Sequence, residues 1–208
     1  MFAYTVLTAG IFSSQKANEV VNAAIEEVRS TVIPSGSLVA YRGAVDIDGD
    51  TATIDTVDSV ARIVIPLSVA LQGVAIDLTP SYQLNATNKQ LERSGETNSL
   101  VVTYVDLKQV ISDVPWTVSF VGSNDKDFAL EATERAMLTL WLVEYDYDSN
   151  RGLYYRLGTD DTDPFIDTEV GLLKLRGTFS LEVNPVQGAP LTVDRTIPSG
   201  LNAIMNLH

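Results

Sequence analysis

Acidic side chains are the reactive groups this sequence offers in quantity. Asp46, Asp48 and Asp50 alternate in the run Asp46–Ile47–Asp48–Gly49–Asp50, with a glycine where a metal loop would turn sharply. Oxygen ligands at alternate positions suit a calcium ion. The full calcium-loop pattern closes with a glutamate at about its twelfth position, and position 57 is Val57. Asp-Gly between two strands is also a strong hairpin signal, so a plain turn accounts for the run better than a cation does. A second group, Asp160, Asp161, Asp163 and Asp167, has more ligand oxygens but includes Pro164, and reads first as a solvated loop. Calcium is the one cofactor with candidate ligands, and nothing in the sequence requires it.

The remaining chemistry is sparse. There is no cysteine, and the single histidine is His208, the last residue. Thiolate nucleophiles, cysteine metal sites and disulfides are therefore excluded, and a histidine base would have to come from the chain terminus. The phosphate-binding pattern GxxxxGK[ST] is missing. Glu131 and Glu134 could form a carboxylate pair, but pairing with nearby Arg135 and Lys126 on a helical turn is the plainer expectation. Trp116, Trp141, Phe120, Tyr145, Tyr147, Tyr154 and Tyr155 could stack sugars, yet aromatics at alternate strand positions are usually core. Asn85–Ala86–Thr87 is the one glycosylation sequon, inside a polar stretch, Gln83–Arg93, that reads as an exposed loop.

Charge narrows the partners. Against 14 basic residues stand 27 acidic ones, a net charge of −13. Such a surface repels phosphate backbones, so nucleic acid is not an expected partner, and anionic membrane surfaces are disfavoured for the same reason.

Two kinds of element must carry these residues. Apolar residues at Ala17, Val20, Val21, Ala24, Ile25, Val28 and Val32 repeat at helical spacing, and Pro34 with Gly36 supplies the stop. The spacing predicts one helix over residues 1–34. Its first third, Phe2 to Phe12, is uncharged and apolar nearly all round, so a membrane or other copies must cover it. After Pro34 the pattern turns to short alternating stretches rich in β-branched residues, among them Leu38–Ile47, Val60–Leu67, Leu100–Leu107, Trp116–Val121, Met137–Tyr147, Leu172–Val183 and Leu191–Ile197. About ten strands are expected, with short helical turns near Leu107–Ser112 and after Asp127. The predicted class is α+β, mainly β: a long N-terminal helix (1–34) on an antiparallel, immunoglobulin-like β-sandwich or barrel head (35–208).

Three stretches carry a resemblance to a known family. Val6–Val28, VLTAGIFSSQKANEVVNAAIEEV, is similar to the second half of a long N-terminal helix. Pro115–Leu142 holds an SND turn followed by an LE-x-x-E-R segment, and Phe179–Leu207 has the form EV-x-P-x-x-GA-x-L-x-x-x-R-x-x-P. Together they resemble the archaellins, the archaeal flagellins whose N-terminal helix is related to that of type IV pilins. Family members begin with a cleaved basic prepeptide and a further apolar stretch, which are not seen here, so the first half of the helix is expected to be cut away.

The resemblance implies a structural subunit of the extracellular archaellum filament and not an enzyme. Its partners would be copies of itself and other archaellins, with a membrane only as the precursor's station and a separate motor complex for assembly. Phe2, Val6, Leu7, Ile11, Phe12, Val20, Val21, Ala24 and Val28 would pack in the filament core. It also raises the standing of Asn85 as a glycan acceptor. A pilin-like adhesion filament and a monomeric calcium- or carbohydrate-binding β-sandwich are the alternative readings.

Overall fold

The computed structural model describes Lys16 and residues 32–49, 55–70, 75–122, 124–159, 163–186 and 188–208. They form sixteen strands: β1 (Val32–Pro34), β2 (Leu38–Asp46), β3 (Thr56–Val69), β4 (Ile76–Asp77), β5 (Tyr82–Leu84), β6 (Leu91–Arg93), β7 (Leu100–Asp106), β8 (Val110–Ile111), β9 (Trp116–Val121), β10 (Ala129–Leu130), β11 (Arg135–Trp141), β12 (Glu144–Asp148), β13 (Gly152–Arg156), β14 (Thr178–Pro185), β15 (Leu191–Thr196) and β16 (Ile204–Leu207). The larger sheet runs β12-β13-β2-β3-β11-β9, with β1 added to β3 and β16 to β2; a smaller sheet runs β15-β14-β7-β8. Leu38, Ile63, Ile65, Leu138 and Leu140 of the first share one buried core with Leu100, Val102, Tyr104, Leu181 and Val193 of the second. Alternate residues of each strand point inward, so the two sheets face one another as a sandwich.

The expected α+β class is corrected to a β fold. Among the described residues beyond Lys16, the one helical element is a single 3-10 turn, Glu169–Gly171. The described end of the expected helix, Val32–Pro34, is a strand paired with Leu67–Val69. Val28 and Val32 satisfy helical spacing, but Val32 and Ile33 are β-branched, and β3 is long enough to offer them an open edge. The proposed core residues Phe2, Val6, Leu7, Ile11, Phe12, Val20, Val21, Ala24 and Val28 lie outside the described residues. The helical turn expected near Leu107–Ser112 is the β7–β8 hairpin instead, where Tyr104 pairs with Ile111. After Asp127 the chain enters β10, paired with β4. No described helix is long and apolar enough to cross a membrane.

β3 is the spine of the larger sheet. β1 and β2 lie end to end along one of its edges and β11 along the other. Pro66 falls opposite the break between β1 and β2, where its carbonyl accepts from Ser35 N–H at 2.8 Å. A strand residue's N–H and C=O point to the same side, so the missing Pro66 donor faces that break and β11 loses nothing. The sandwich is not wholly antiparallel: β13 joins β2 in parallel, with Tyr155 opposite Val45. Beside that junction the register slips between Tyr41 and Arg42. Gly43 sits beneath Tyr155, and a Cβ there would come within 2.6 Å of the ring.

The β5–β6 hairpin lies outside both sheets. Tyr82 and Leu91 anchor it in a small second core with Trp141 and Phe165. The hairpin carries Asn85 and the Tyr82 hydroxyl that donates to Asp163.

Candidate functional site

One member of each acidic cluster, Asp46 and Asp163, is held in an ion pair with an arginine. Asp46 ends β2 with its side chain 2% exposed, and Arg151 Nη1 donates to it at 2.6 Å. The Gly49 amide donates to the same carboxylate at 3.3 Å. Burial works to raise the pKa of Asp46, but the bonds from Arg151, Asp48 and Gly49 outweigh it and hold the carboxyl below its usual range. Arg151 lies 4.2 Å over the Tyr154 ring, which fixes the guanidinium. Asp46 is thus held by a residue distant in sequence, and Ile47 N–H donates to the Asp55 carbonyl at 3.0 Å beside it.

Asp163 receives Tyr82 Oη at 2.8 Å and Arg93 Nε at 2.9 Å. Burial, then the bond to Asp163, pushes the Tyr82 hydroxyl well above the usual phenol range. Asp50, Asp160 and Asp161 lie outside the described residues. Among the described residues no three acidic or imidazole side chains converge as metal ligands.

Glu134 is 7% exposed and is neither on a helix nor part of a surface ion pair. Its carboxylate accepts instead from the Glu131 amide and from Asn124 Nδ2, both at 3.1 Å, and so closes the turn between β10 and β11. No catalytic carboxylate pair results.

Asn85 stands where β5 gives way to its turn. Its Oδ1 accepts from the Thr87 amide at 2.8 Å, and its Nδ2 donates to Glu92 at 3.0 Å. The stretch read as an exposed loop is a hairpin whose tip, Ala86, Thr87 and Lys89, is exposed, with Asn85 half-buried at its neck.

The aromatics are mostly internal. Trp116 is fully buried and its Nε1 donates to the Leu100 carbonyl at 3.2 Å, linking the two sheets. Trp141 stacks on Tyr145 at 5.2 Å, and Tyr145 meets Tyr155 at 4.9 Å. Beside this stack opens a groove of about 450 Å³, lined by Arg62, Tyr82, Thr117, Phe128 and Trp141 among others. Cross-strand register builds its floor, because Arg62 of β3 lies opposite both Tyr41 of β2 and Trp141 of β11. The guanidinium is 4.5 Å from the Tyr41 ring centre and 5.3 Å from that of Trp141. Sequence reading missed Arg62, since only the register of three strands brings these rings to it.

No family model matches the chain. It is 26% identical over 199 residues to probable flagellin 1 of Aeropyrum pernix, covering 96% of this chain and 83% of that protein. It is also 26% identical over 210 residues to probable flagellin 1 of Archaeoglobus fulgidus, covering 100% of this chain and 85% of that one. The likeness to archaeal flagellins runs from end to end. Among solved structures, the archaeal flagellum of Methanospirillum hungatei aligns with a TM-score of 0.49 and 18% identity, over 99% of this chain and 87% of that one. Archaeal flagellin FlaB1 of Methanocaldococcus jannaschii aligns with a TM-score of 0.48 and 10% identity, over 85% and 95%. The archaellin resemblance seen in three stretches of sequence is thus met by archaeal flagellins across the whole chain.

Proposed function

We propose that this chain is a structural subunit of an archaeal flagellar filament, a cell-surface appendage for swimming or adhesion built from copies of the chain. The observation that carries this reading is the alignment with two flagellins over 96% and 100% of the chain. Two of the acidic candidates fit it, since Asp46 bridges to Arg151 and Glu134 closes a turn. The subunit's work is then assembly and not catalysis. Delivery from a membrane-held precursor by a separate motor complex belongs to the same reading. Asn85 remains the candidate glycan acceptor on the extracellular surface, and its Nδ2 would have to leave Glu92 to be modified.

The test is electron microscopy of material sheared from cells, labelled with antibody against this chain. Antibody along filaments is the expected result. Recovery of the chain only as a dispersed secreted monomer would remove the filament reading and return the β fold to candidacy as a ligand-binding module.

A further inference from the structure

The groove beside Trp141 holds a cation, Arg62, and no ion pair joins it to Glu96, the carboxylate that also lines the groove. Arg62 Nε is buried and has no hydrogen-bond partner. The other half-buried arginines of the described residues have acceptors: Arg151 has Asp46, Arg156 has Glu144 and Asp146, and Arg195 bonds backbone carbonyls. Arg62 has only the rings of Tyr41 and Trp141. Ring faces attract a guanidinium but accept no directed N–H bond, so a donor without an acceptor remains. Part of the rim is apolar, with Leu84 41% and Phe128 46% exposed, and Ser94, Glu96 and Ser119 complete it. The complement of such a groove is a carboxylate standing next to an apolar side chain.

The same chain carries one such feature. Among the described residues, three large apolar side chains are more than three-quarters exposed: Leu107 at 92%, Val186 at 79% and Val170 at 77%. Leu107 follows Asp106, but that carboxylate is engaged by Tyr104 Oη and by the Lys108 and Gln109 amides. Val186 has no acidic neighbour. Val170 follows Glu169, whose side chain is about half exposed and pairs only with the exposed Lys174 at 3.1 Å. An exposed pair of that kind contributes little and exchanges readily. The turn bearing them is braced, because Gln109 Nε2 donates to the Gly171 carbonyl at 2.8 Å and Lys108 Nζ to that of Leu172 at 2.9 Å. A rigid protrusion loses little freedom on docking.

We infer that the Glu169–Val170 turn of one copy docks in the Arg62 groove of the next, Glu169 meeting the guanidinium and Val170 the Leu84–Phe128 rim. Protrusion and groove are different surfaces, so the contact is heterologous and propagates from copy to copy instead of closing a pair. This rests on the filament reading and specifies one contact within it.

The absence of cysteine makes the test clean. Ser119 lines the groove and is exposed, so Ser119→Cys paired with Val170→Cys reports the contact by oxidative cross-linking in assembled filaments. A ladder of covalent oligomers is expected from the double variant and from neither single one. Adding Arg62→Gln should lower the ladder's yield about tenfold while the fold, read by circular dichroism, persists. Normal filaments without a ladder would overturn this contact alone, and a ladder indifferent to Arg62→Gln would overturn the role of the charge. Absence of wild-type filaments would instead sink the filament reading, and this contact with it.

Discussion

Asp46 and Arg151 are 105 residues apart in sequence and 2.6 Å apart in the fold. Their bridge fastens the end of β2 to the β12–β13 turn, where Asp148 accepts from the Asn150 and Arg151 amides at 2.8 and 3.0 Å. It therefore secures the parallel β13–β2 pairing, which has few ladder bonds of its own.

Removing Arg151 leaves a buried carboxylate without its cation, which costs more than the pair itself contributes. Arg151→Ala should lower Tm by roughly 5 to 10 °C, and Asp46→Asn by less, because an amide can still accept from Gly49. Thermal unfolding followed by circular dichroism measures both. Equal, negligible effects would show that the bridge is idle.

The same pair sets a pH dependence. The folded pKa of Asp46 is held below the ordinary carboxyl value of 3.8. Between the two values the unfolded chain binds more protons, so this contribution is complete above about pH 4 and is lost as pH falls through the folded value. Stability measured from pH 6 down to pH 2 should drop in the wild type, and Asp46→Asn should flatten that limb. A wild-type and variant pair with parallel acid limbs would assign the acid sensitivity elsewhere.

Strands with a clean alternation were legible, and those defined by partners were not. Trp116–Val121 is bounded in the fold where its alternation begins and ends. Met137–Tyr147 reads as one strand because Leu142 and Val143 continue the apolar run, yet the chain turns there and both are fully buried. Leu172 and Leu173 likewise extend the pattern of β14 backwards, while in the fold they fill the core from an irregular segment that follows the 3-10 turn. The β5–β6 hairpin was invisible because each strand has three residues and one inward anchor, Tyr82 or Leu91. The acidic clusters were visible as positions, but their roles depend on arginines 105 and 70 residues away. Arg62 could not be singled out, since its environment is a product of register across β2, β3 and β11.

Gly43 should not tolerate a side chain. Its backbone needs no unusual angle; the constraint is space, with Tyr155 Cδ2 2.6 Å and Ala61 Cβ 2.7 Å from the point a methyl carbon would occupy. Gly43→Ala must displace Tyr155 from its stack on Tyr145 or push β13 from β2. A loss of about 1–3 kcal/mol is expected from this overpacking, measured by urea unfolding. Gly49→Ala supplies the contrast: it has open space around it but a φ of +65°, so any loss there comes from backbone strain and leaves Tyr155 undisturbed. Near-ultraviolet circular dichroism, which senses the aromatic stack, should change for the first variant and not for the second.

The β5–β6 hairpin should open independently of the sandwich. Its apolar anchors are Tyr82 and Leu91, packed on Trp141 and Phe165, and its polar ties are Tyr82 and Arg93 to Asp163, at 2.8 and 2.9 Å, and Gln90 to Asp146 at 2.6 Å. An element with so few buried apolar contacts belongs to the low-stability end of a fold. Tyr82→Phe removes only the hydroxyl bond and should cost about 1 kcal/mol locally, while leaving the Asp163 carboxylate to Arg93. Tyr82→Ala removes the anchor as well, and should expose the peptide bonds around Lys89 to trypsin at temperatures where the sandwich is intact. Hydrogen exchange would then show faster exchange of the Asn85 and Lys89 amides, which bond within the hairpin, with the β3 and β11 amides unchanged. If β3 and β11 lost protection together with the hairpin, the two cores would be one cooperative unit. The Arg62 groove would then be as rigid as the sandwich itself, because Tyr82 is one of its walls.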